Sequence, residues 1–318
     1  MADFNLLVLG TSIMWGQGLE DSDKMHAMLA KVLQPEFPNR TVNTIFLAHS
    51  GASTGYKRDG SIDTRHEPRI AGEIPTNYPT IFQQVEAFDD TKVDPDAVDL
   101  IVLDAGINDV KVTTVVDPLT SPRKIGTLVE IYCHQHMILL LEQITAKFKN
   151  ATIVIIGYYQ MITAQTEEGY IHTLLKAYGK VPSGVVADMI IKALLRRPIR
   201  RRILTNCHTF AARSFTAFQH AAKQVNKSLD SERIFVVPSA IPSKHSALTA
   251  DAWLFGINDD LSPQDPMLHS RAADCKSAPH KRTDQLTCEK ASAGHPNPKG
   301  AKAYAEAIYK VLKDKDRL

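Results

Sequence analysis

The sequence predicts an α/β fold, a three-layer α/β/α sandwich built on a five-stranded parallel sheet and carrying two long insertions. Two observations predict it. Five short runs rich in Val, Ile and Leu recur along the 318 residues, each a compact block, as strands covered on both faces require. Helical patterns fall between the runs, and strand alternating with helix is the signature of a doubly wound sheet.

The first run, Asn5–Gly10, passes straight into Thr11-Ser12. The others are Thr41–His49, Asp99–Ala105, Ala151–Tyr158 and Arg233–Pro238. Ser22–Leu33 places Met25, Met28, Leu29, Val32 and Leu33 on one side of a helix. Gly126–Lys149 does the same with Leu128, Ile131, Leu139, Ile144 and Phe148, and ends in basic residues that suit a helix C-terminus. A third helix is expected over Asn206–Leu229, and a last one over Pro298–Lys313 with proline in its first turn. No repeat or low-complexity linker interrupts the series, so residues 1–318 read as one domain. Two stretches exceed the minimal pattern. Residues 160–205 contain a helix of their own near Val185–Arg197, and residues 239–293 are irregular and rich in prolines and charges. Long insertions at strand ends usually build a site wall or a lid.

Composition narrows the classes. A hydrophobic content of 44% and a charged content of 23% are ordinary for a globular enzyme. The formal charge of +2 by itself calls for neither a nucleic acid nor a membrane surface. Met1 to Asn5 has no basic run, and the apolar stretch Leu6–Leu9 is too short for a signal peptide. No apolar run approaches the roughly 20 residues of a membrane span, which makes a cytoplasmic location the expectation. Cys133 and Cys207 sit in apolar helical patterns and read as core packing. Cys275 and Cys288 flank a polar segment that a disulfide could close, although a reducing cytosol would oppose it. His269 and His280 lie near those cysteines without metal-ligand spacing, so neither a metal nor an organic cofactor is expected.

The polar residues at the strand exits carry the chemistry. Ser12 falls on the turn between the first strand and a helix. A serine hydroxyl attacks only when a base takes its proton and donors stabilise the resulting oxyanion. At a helix start its own backbone N–H is available for that purpose. The competing role for Thr11-Ser12 is to cap the helix. Near the other end, Gly294-His295-Pro296-Asn297 sets a histidine in a stiff turn before the last helix, and imidazole suits general-base work near neutral pH. Gly106-Ile107-Asn108-Asp109 follows the third strand, where the Asn108 amide could donate to an oxyanion or shape a turn. Gly51, after the second strand, could offer a backbone N–H to the same place. Residues at the exits of successive strands converge on one edge of a parallel sheet.

In order and spacing these pieces resemble the SGNH hydrolases, the GDSL-type esterases and lipases. Gly10-Thr11-Ser12 with Gly16 and Gly18 is similar to that family's first block, and Gly51 to its second-block glycine. Gly106 to Asp109 is similar to its third block, and His295-Pro296-Asn297 with Gly300 to its last. The resemblance spans nearly the whole chain. It implies a flavodoxin-like sheet and a serine hydrolase that cleaves carboxylic esters without a cofactor. It also implies Ser12 as nucleophile, His295 as base, and an oxyanion hole made by the N–H groups of Ser12 and Gly51 and the amide of Asn108. Two positions depart from the pattern. Thr11 stands where the family has an aspartate, a position that mainly shapes the turn. Ser292 stands where the family carries its triad acid, three residues before the histidine. A serine cannot stabilise an imidazolium as a carboxylate does. His295 therefore works as a dyad helped by a backbone carbonyl or by Ser292, or with an acid from elsewhere, for which Asp284 is a candidate.

Gly51-Ala52-Ser53-Thr54-Gly55 fits the nucleophile elbow of α/β-hydrolases. However, Tyr56 to Gly60 reads as loop where a helix should follow, and few residues precede it for the strands an elbow needs. Its glycines are better explained as an oxyanion loop. Arg196, Arg197, Arg200, Arg201 and Arg202 follow an apolar stretch from Met189 to Leu195. A basic amphipathic helix can lie on an anionic membrane; a packed lid helix followed by a solvated basic loop is the favoured alternative. The expected partner is a small or lipid ester. Phospholipase or lysophospholipase action at a membrane surface is the alternative within enzymes. A catalytically silent binding protein of the same fold, suggested by Ser292 and Thr11, is the alternative outside them.

Overall fold

The computed structural model describes residues 3–65, 72–167, 196–256, 265–277 and 288–318. The five expected runs form one sheet from β1 (Phe4–Val8), β2 (Val42–Phe46), β3 (Val98–Leu103), β4 (Thr152–Ile156) and β5 (Ile234–Val237). Their spatial order is β2-β1-β3-β4-β5, and every pairing is parallel, with Leu6 between Thr44 and Leu100. This is the flavodoxin-like order, which puts a switch point at the C-terminal ends of β1 and β3. Each apolar run continues past its strand into buried loop: Leu9, Ala48 and Ala105 have no exposure yet lie beyond the ladders. The strands thus end where the chain turns toward the switch point.

The helices are α1 (Ser12–Trp15), α2 (Met25–Leu33), α3 (Ile81–Glu86), α4 (Ile107–Val110), α5 (Val112–Val115) and α6 (Pro122–Val129). They continue with α7 (His136–Lys147), α8 (Arg196–Leu229), α9 (Leu268–Ser277) and α10 (Pro298–Asp314). One helical layer pairs α2 with α10, and the other packs α6, α7 and α8 together with α3 against α7. Leu6, Leu7 and Val8 of β1 are fully buried between the layers, as are Ile101 and Val102 of β3. Each such side chain contributes on the order of 1.5–3 kcal/mol on leaving water.

Several boundaries differ from the expectation for identifiable reasons. The first helix starts at Met25, because Asp21–Asp23 forms a 3-10 turn. The expected helix over Gly126–Lys149 is two helices, α6 and α7, joined by a π-helical turn at Glu130–Gln135. It also begins earlier, where the Ser121 hydroxyl caps Lys124 N–H and Pro122 occupies the first turn. The third helix is already formed at Arg196, the first described residue of that stretch, so the arginines up to Arg202 ride on α8 instead of forming a solvated basic loop. The expected helix near Val185–Arg197 lies outside the described residues except for its last two positions, which open α8. The segment 239–293 is not wholly irregular, since it contains α9.

Cys275 and Cys288 form a disulfide with Cα atoms 6.0 Å apart, tying α9 to the segment that leads into Ser292 and His295. Cys133 and Cys207 are free and buried. Among the described residues no helix is long and apolar enough to cross a membrane.

Candidate active site

Ser12 leaves β1 through a turn that is held from below. Gly10 has a φ of +131°, and a Cβ there would stand 2.4 Å from Asp104 Oδ1, so only glycine fits. Thr11 N–H donates to Asp104 Oδ1 at 2.8 Å and its hydroxyl donates to Asp104 Oδ2. Asp104 stands just after β3, so this bond spans the switch point between the two central strands. Burial pushes the Asp104 carboxyl up to about 6, against the hydrogen bonds from Thr11 that favour its charged form. Thr11 is the N-cap of α1, its Oγ1 accepting from Ile13 N–H at 3.5 Å. Capping therefore falls to Thr11, and the Ser12 hydroxyl is left for another partner.

That partner is His295. Its Nε2 lies 2.6 Å from Ser12 Oγ, and its Nδ1 lies 3.2 Å from the Ser292 carbonyl oxygen. A carbonyl can only accept, so Nδ1 carries the proton and Nε2 presents its lone pair to the serine hydroxyl. The histidine turn is stapled to a neighbouring loop. Phe255 N–H donates to the His295 carbonyl at 2.8 Å, and Gly294 N–H donates to the Phe255 carbonyl at 2.9 Å. The Tyr159 hydroxyl donates to the Gly294 carbonyl at 2.7 Å. Asn297 then caps α10, accepting from Lys299 N–H at 3.0 Å and Gly300 N–H at 3.3 Å. Burial drives the His295 pKa down to about 4, so the ring is neutral at ordinary pH.

The other two expected contributors face the same space. Gly51 adopts a φ of +82°, with the Thr76 backbone oxygen 2.3 Å from where a Cβ would sit, so a side chain is excluded. Its loop is pinned by Asp109, which accepts from Thr54 N–H at 3.1 Å and from the Thr54 hydroxyl at 2.9 Å. Burial raises the Asp109 carboxyl to about 6. Asn108 donates one amide hydrogen to the Ala52 carbonyl at 2.8 Å, which fixes the plane of the amide and leaves its second hydrogen. Ser12, Gly51, Asn108 and His295 all line one cavity of about 200 Å³. Much of its lining is apolar, including Ile107, Val112, Val115, Tyr158, Cys207 and Phe210.

Ser53 does not line this cavity, and no helix follows it, only the turn and bridge residues around Tyr56–Gly60. Asp284 lies outside the described residues. Ser292 is buried, and it meets His295 through its carbonyl rather than its hydroxyl. Two carboxylates escaped the sequence reasoning near the nucleophile. Asp104 carried a signal, a lone charge at the end of a buried strand, whereas Asp109 was noticed only as part of a block. A third group, Glu73, Asp265 and Arg271, is buried behind Ser292. Glu73 lies far along the chain from the other two, although Asp265 and Arg271 are six residues apart, and no local pattern marks them.

The chain matches no family model and no curated protein. Among solved structures it is similar to an extracellular lipase from Streptomyces rimosus at 16% identity and a TM-score of 0.49, covering 96% of this chain and 99% of that one. It is similar also to phospholipase A1 from Streptomyces albidoflavus NA297, at 13% identity and a TM-score of 0.47, covering 97% and 99%. A carbohydrate esterase family 2 enzyme with a carbohydrate-binding domain from Corynascus thermopiles is similar at 12% identity and a TM-score of 0.46, with 98% of this chain and 66% of that chain covered.

Proposed function

We propose that this chain is a serine hydrolase of the SGNH type that cleaves carboxylic esters. The observation that carries the proposal is the 2.6 Å contact between Ser12 Oγ and a neutral His295 Nε2 in the lining of a largely apolar cavity. In the proposed cycle Nε2 takes the Ser12 proton while Oγ bonds to the ester carbonyl carbon. The N–H groups of Ser12 and Gly51 and the free hydrogen of Asn108 stabilise the oxyanion. Collapse breaks the bond to the alcohol oxygen, which leaves with the proton held by His295. Water, deprotonated by the same nitrogen, then bonds to the acyl carbon; the bond to Ser12 Oγ breaks, the acid leaves, and His295 returns the proton to Oγ. The 3.2 Å contact of Nδ1 with the Ser292 carbonyl supports a Ser–His dyad oriented by backbone.

The geometry also supports a substrate class. The leaving oxygen must lie on the His295 side to receive its proton, and Ile107, Val112, Val115, Tyr158, Cys207 and Phe210 give the cavity an apolar wall on which an acyl group can pack. An unbranched acyl chain suits that wall. A second class is supported by the exposed Arg197, Arg201 and Arg202 at the start of α8, the helix that also supplies Cys207 and Phe210 to the cavity. They favour an anionic phospholipid as the ester presented. Hydrolysis of anionic vesicles no faster than of neutral short esters would remove that case. The disulfide, a bond that persists in oxidising compartments, weighs against the cytoplasmic expectation.

The test is turnover of neutral short-chain esters by three proteins. Ser12→Ala should abolish hydrolysis and Ser53→Ala should leave it within about two-fold of the parent. The reverse result would move the nucleophile to Ser53 and end the proposed mechanism.

A further inference from the structure

Among the described residues no carboxylate bonds directly to His295, yet a buried one lies a single hydroxyl from Ser292. The Ser292 hydroxyl donates to Asp265 Oδ2, and Arg271 Nη2 donates to both that carboxylate and Ser292 Oγ, the latter at 3.2 Å. Arg271 Nη1 donates to Glu73 Oε2 at 2.6 Å, and its Nε donates to the Glu289 carbonyl at 2.9 Å. Glu73 in turn accepts from Gly18 N–H and from Gln17 Nε2, each at 3.0 Å. The side chains of Arg271, Glu73 and Asp265 are only 0%, 5% and 7% exposed. In so dry a setting charges act over longer distances than at a surface.

The chain of contacts has two ends. One holds Gln17 and Gly18, directly after the helix that carries Ser12; the other holds Ser292, whose carbonyl takes the Nδ1 proton of His295. The network therefore fixes nucleophile and base relative to each other. It sets the one buried guanidinium between two carboxylates, Glu73 and Asp265, so Arg271 is held from both sides. The departure at Ser292 becomes intelligible. A carboxylate at 292 would stand against Asp265 as a like charge, whereas a hydroxyl can donate to it.

We propose that Asp265, acting through the Ser292 hydroxyl and held by Arg271 and Glu73, is the positioning residue that orients His295 in place of a directly bonded triad carboxylate. This rests on the assignment of Ser12 and His295 as the reacting pair. The groups whose charge bears on the imidazole are Arg271 and Asp265, in opposite senses, with burial the larger influence.

The experiment is a double-mutant cycle on the full chain with Asp265→Asn, Ser292→Ala and both, rates being normalised to the Ser12 sites that a fluorophosphonate titrates. Each single variant should lower kcat on a neutral short ester about ten- to a hundred-fold, the range for a lost supporting partner, with KM within about two-fold. The rate of Ser12 phosphonylation should fall in parallel. The double variant should be no slower than the slower single one, because both act through one hydroxyl. Unchanged kcat per titrated site, an effect confined to KM, or multiplying losses would each overturn the proposal. Should Asp265→Asn fail to fold, Ser292→Ala decides alone, since it removes one small hydroxyl; a parental kcat there overturns it. Failure of the underlying assignment looks different: the parent protein itself would neither turn over esters nor label at Ser12, and both proposals would fall together.

Discussion

His295 faces a hydroxyl with one nitrogen and a carbonyl with the other. That pairing fixes the tautomer, and burial fixes the proton count by holding the pKa near 4. A group whose pKa is lowered is neutral above the lowered value. The general base should thus stay competent until the pH falls through about 4, where an ordinary imidazole would begin to fail at about 6.5. A pH profile of kcat/KM on a non-ionising ester should show its acid limb near 4. A limb near 6.5 that survives Asp104→Asn would contradict this; Asp104 is the control because its own pKa is about 6 and it sits beneath Thr11. At Asn108 the cost is one oxyanion donor. Asn108→Ala should lower kcat by roughly two to three powers of ten with a smaller change in KM. A loss appearing in KM alone would reduce Asn108 to the loop-fixing bond it makes with Ala52.

Among the elements, α8 contributes Cys207 and Phe210 to the cavity lining, so under the proposed function it should help select the acyl group. Each methylene buried there is worth about 0.8 kcal/mol, roughly a four-fold gain in kcat/KM per carbon. Steady-state rates on a series of p-nitrophenyl esters should rise by about that factor per carbon until the wall is met. Cys207→Phe should end the rise at a shorter chain, and Phe210→Ala should extend it. An unchanged optimum in both variants would place the acyl group elsewhere. At this scale much was legible in the sequence. The strands showed as compact runs rich in Val, Ile and Leu, although the edge strand β2 is only half-buried and carries Asn43 and Thr44, and α10 showed through Asn297 and Pro298 at its start. The break between α6 and α7 was not legible, because a π-helical turn around Cys133 keeps the apolar face continuous and leaves no glycine or proline to mark it. The helical state of the arginine run was missed for a different reason, since arginines beside a proline read as loop when their packing partners are unknown.

For the whole molecule, the site is assembled from the two ends of the chain and stapled in the middle. Ser12 and Asn108 come from the switch point of the sheet, a placement the strand order alone dictates. His295 comes from a turn held by the segment around Phe255 and, behind it, by residues the sequence could not bring together: Glu73, Arg271 and Asp265. Pairing over such distances leaves no periodicity to read. The Cys275–Cys288 bridge closes the segment between α9 and the histidine turn, and its loss should cost on the order of 2–4 kcal/mol. Thermal melting of Cys275→Ser/Cys288→Ser should show a lower Tm than the parent; an identical Tm would mean the bridge constrains nothing the fold does not already hold.

All three scales meet in whether Ser12 is a nucleophile driven by His295. Peptide mass spectrometry after fluorophosphonate treatment of the parent and of His295→Ala measures this most directly. The predicted result is a stoichiometric adduct on Ser12 in the parent and labelling slowed by several powers of ten in the variant. An adduct on Ser53, or equal labelling of Ser12 with and without His295, would contradict it.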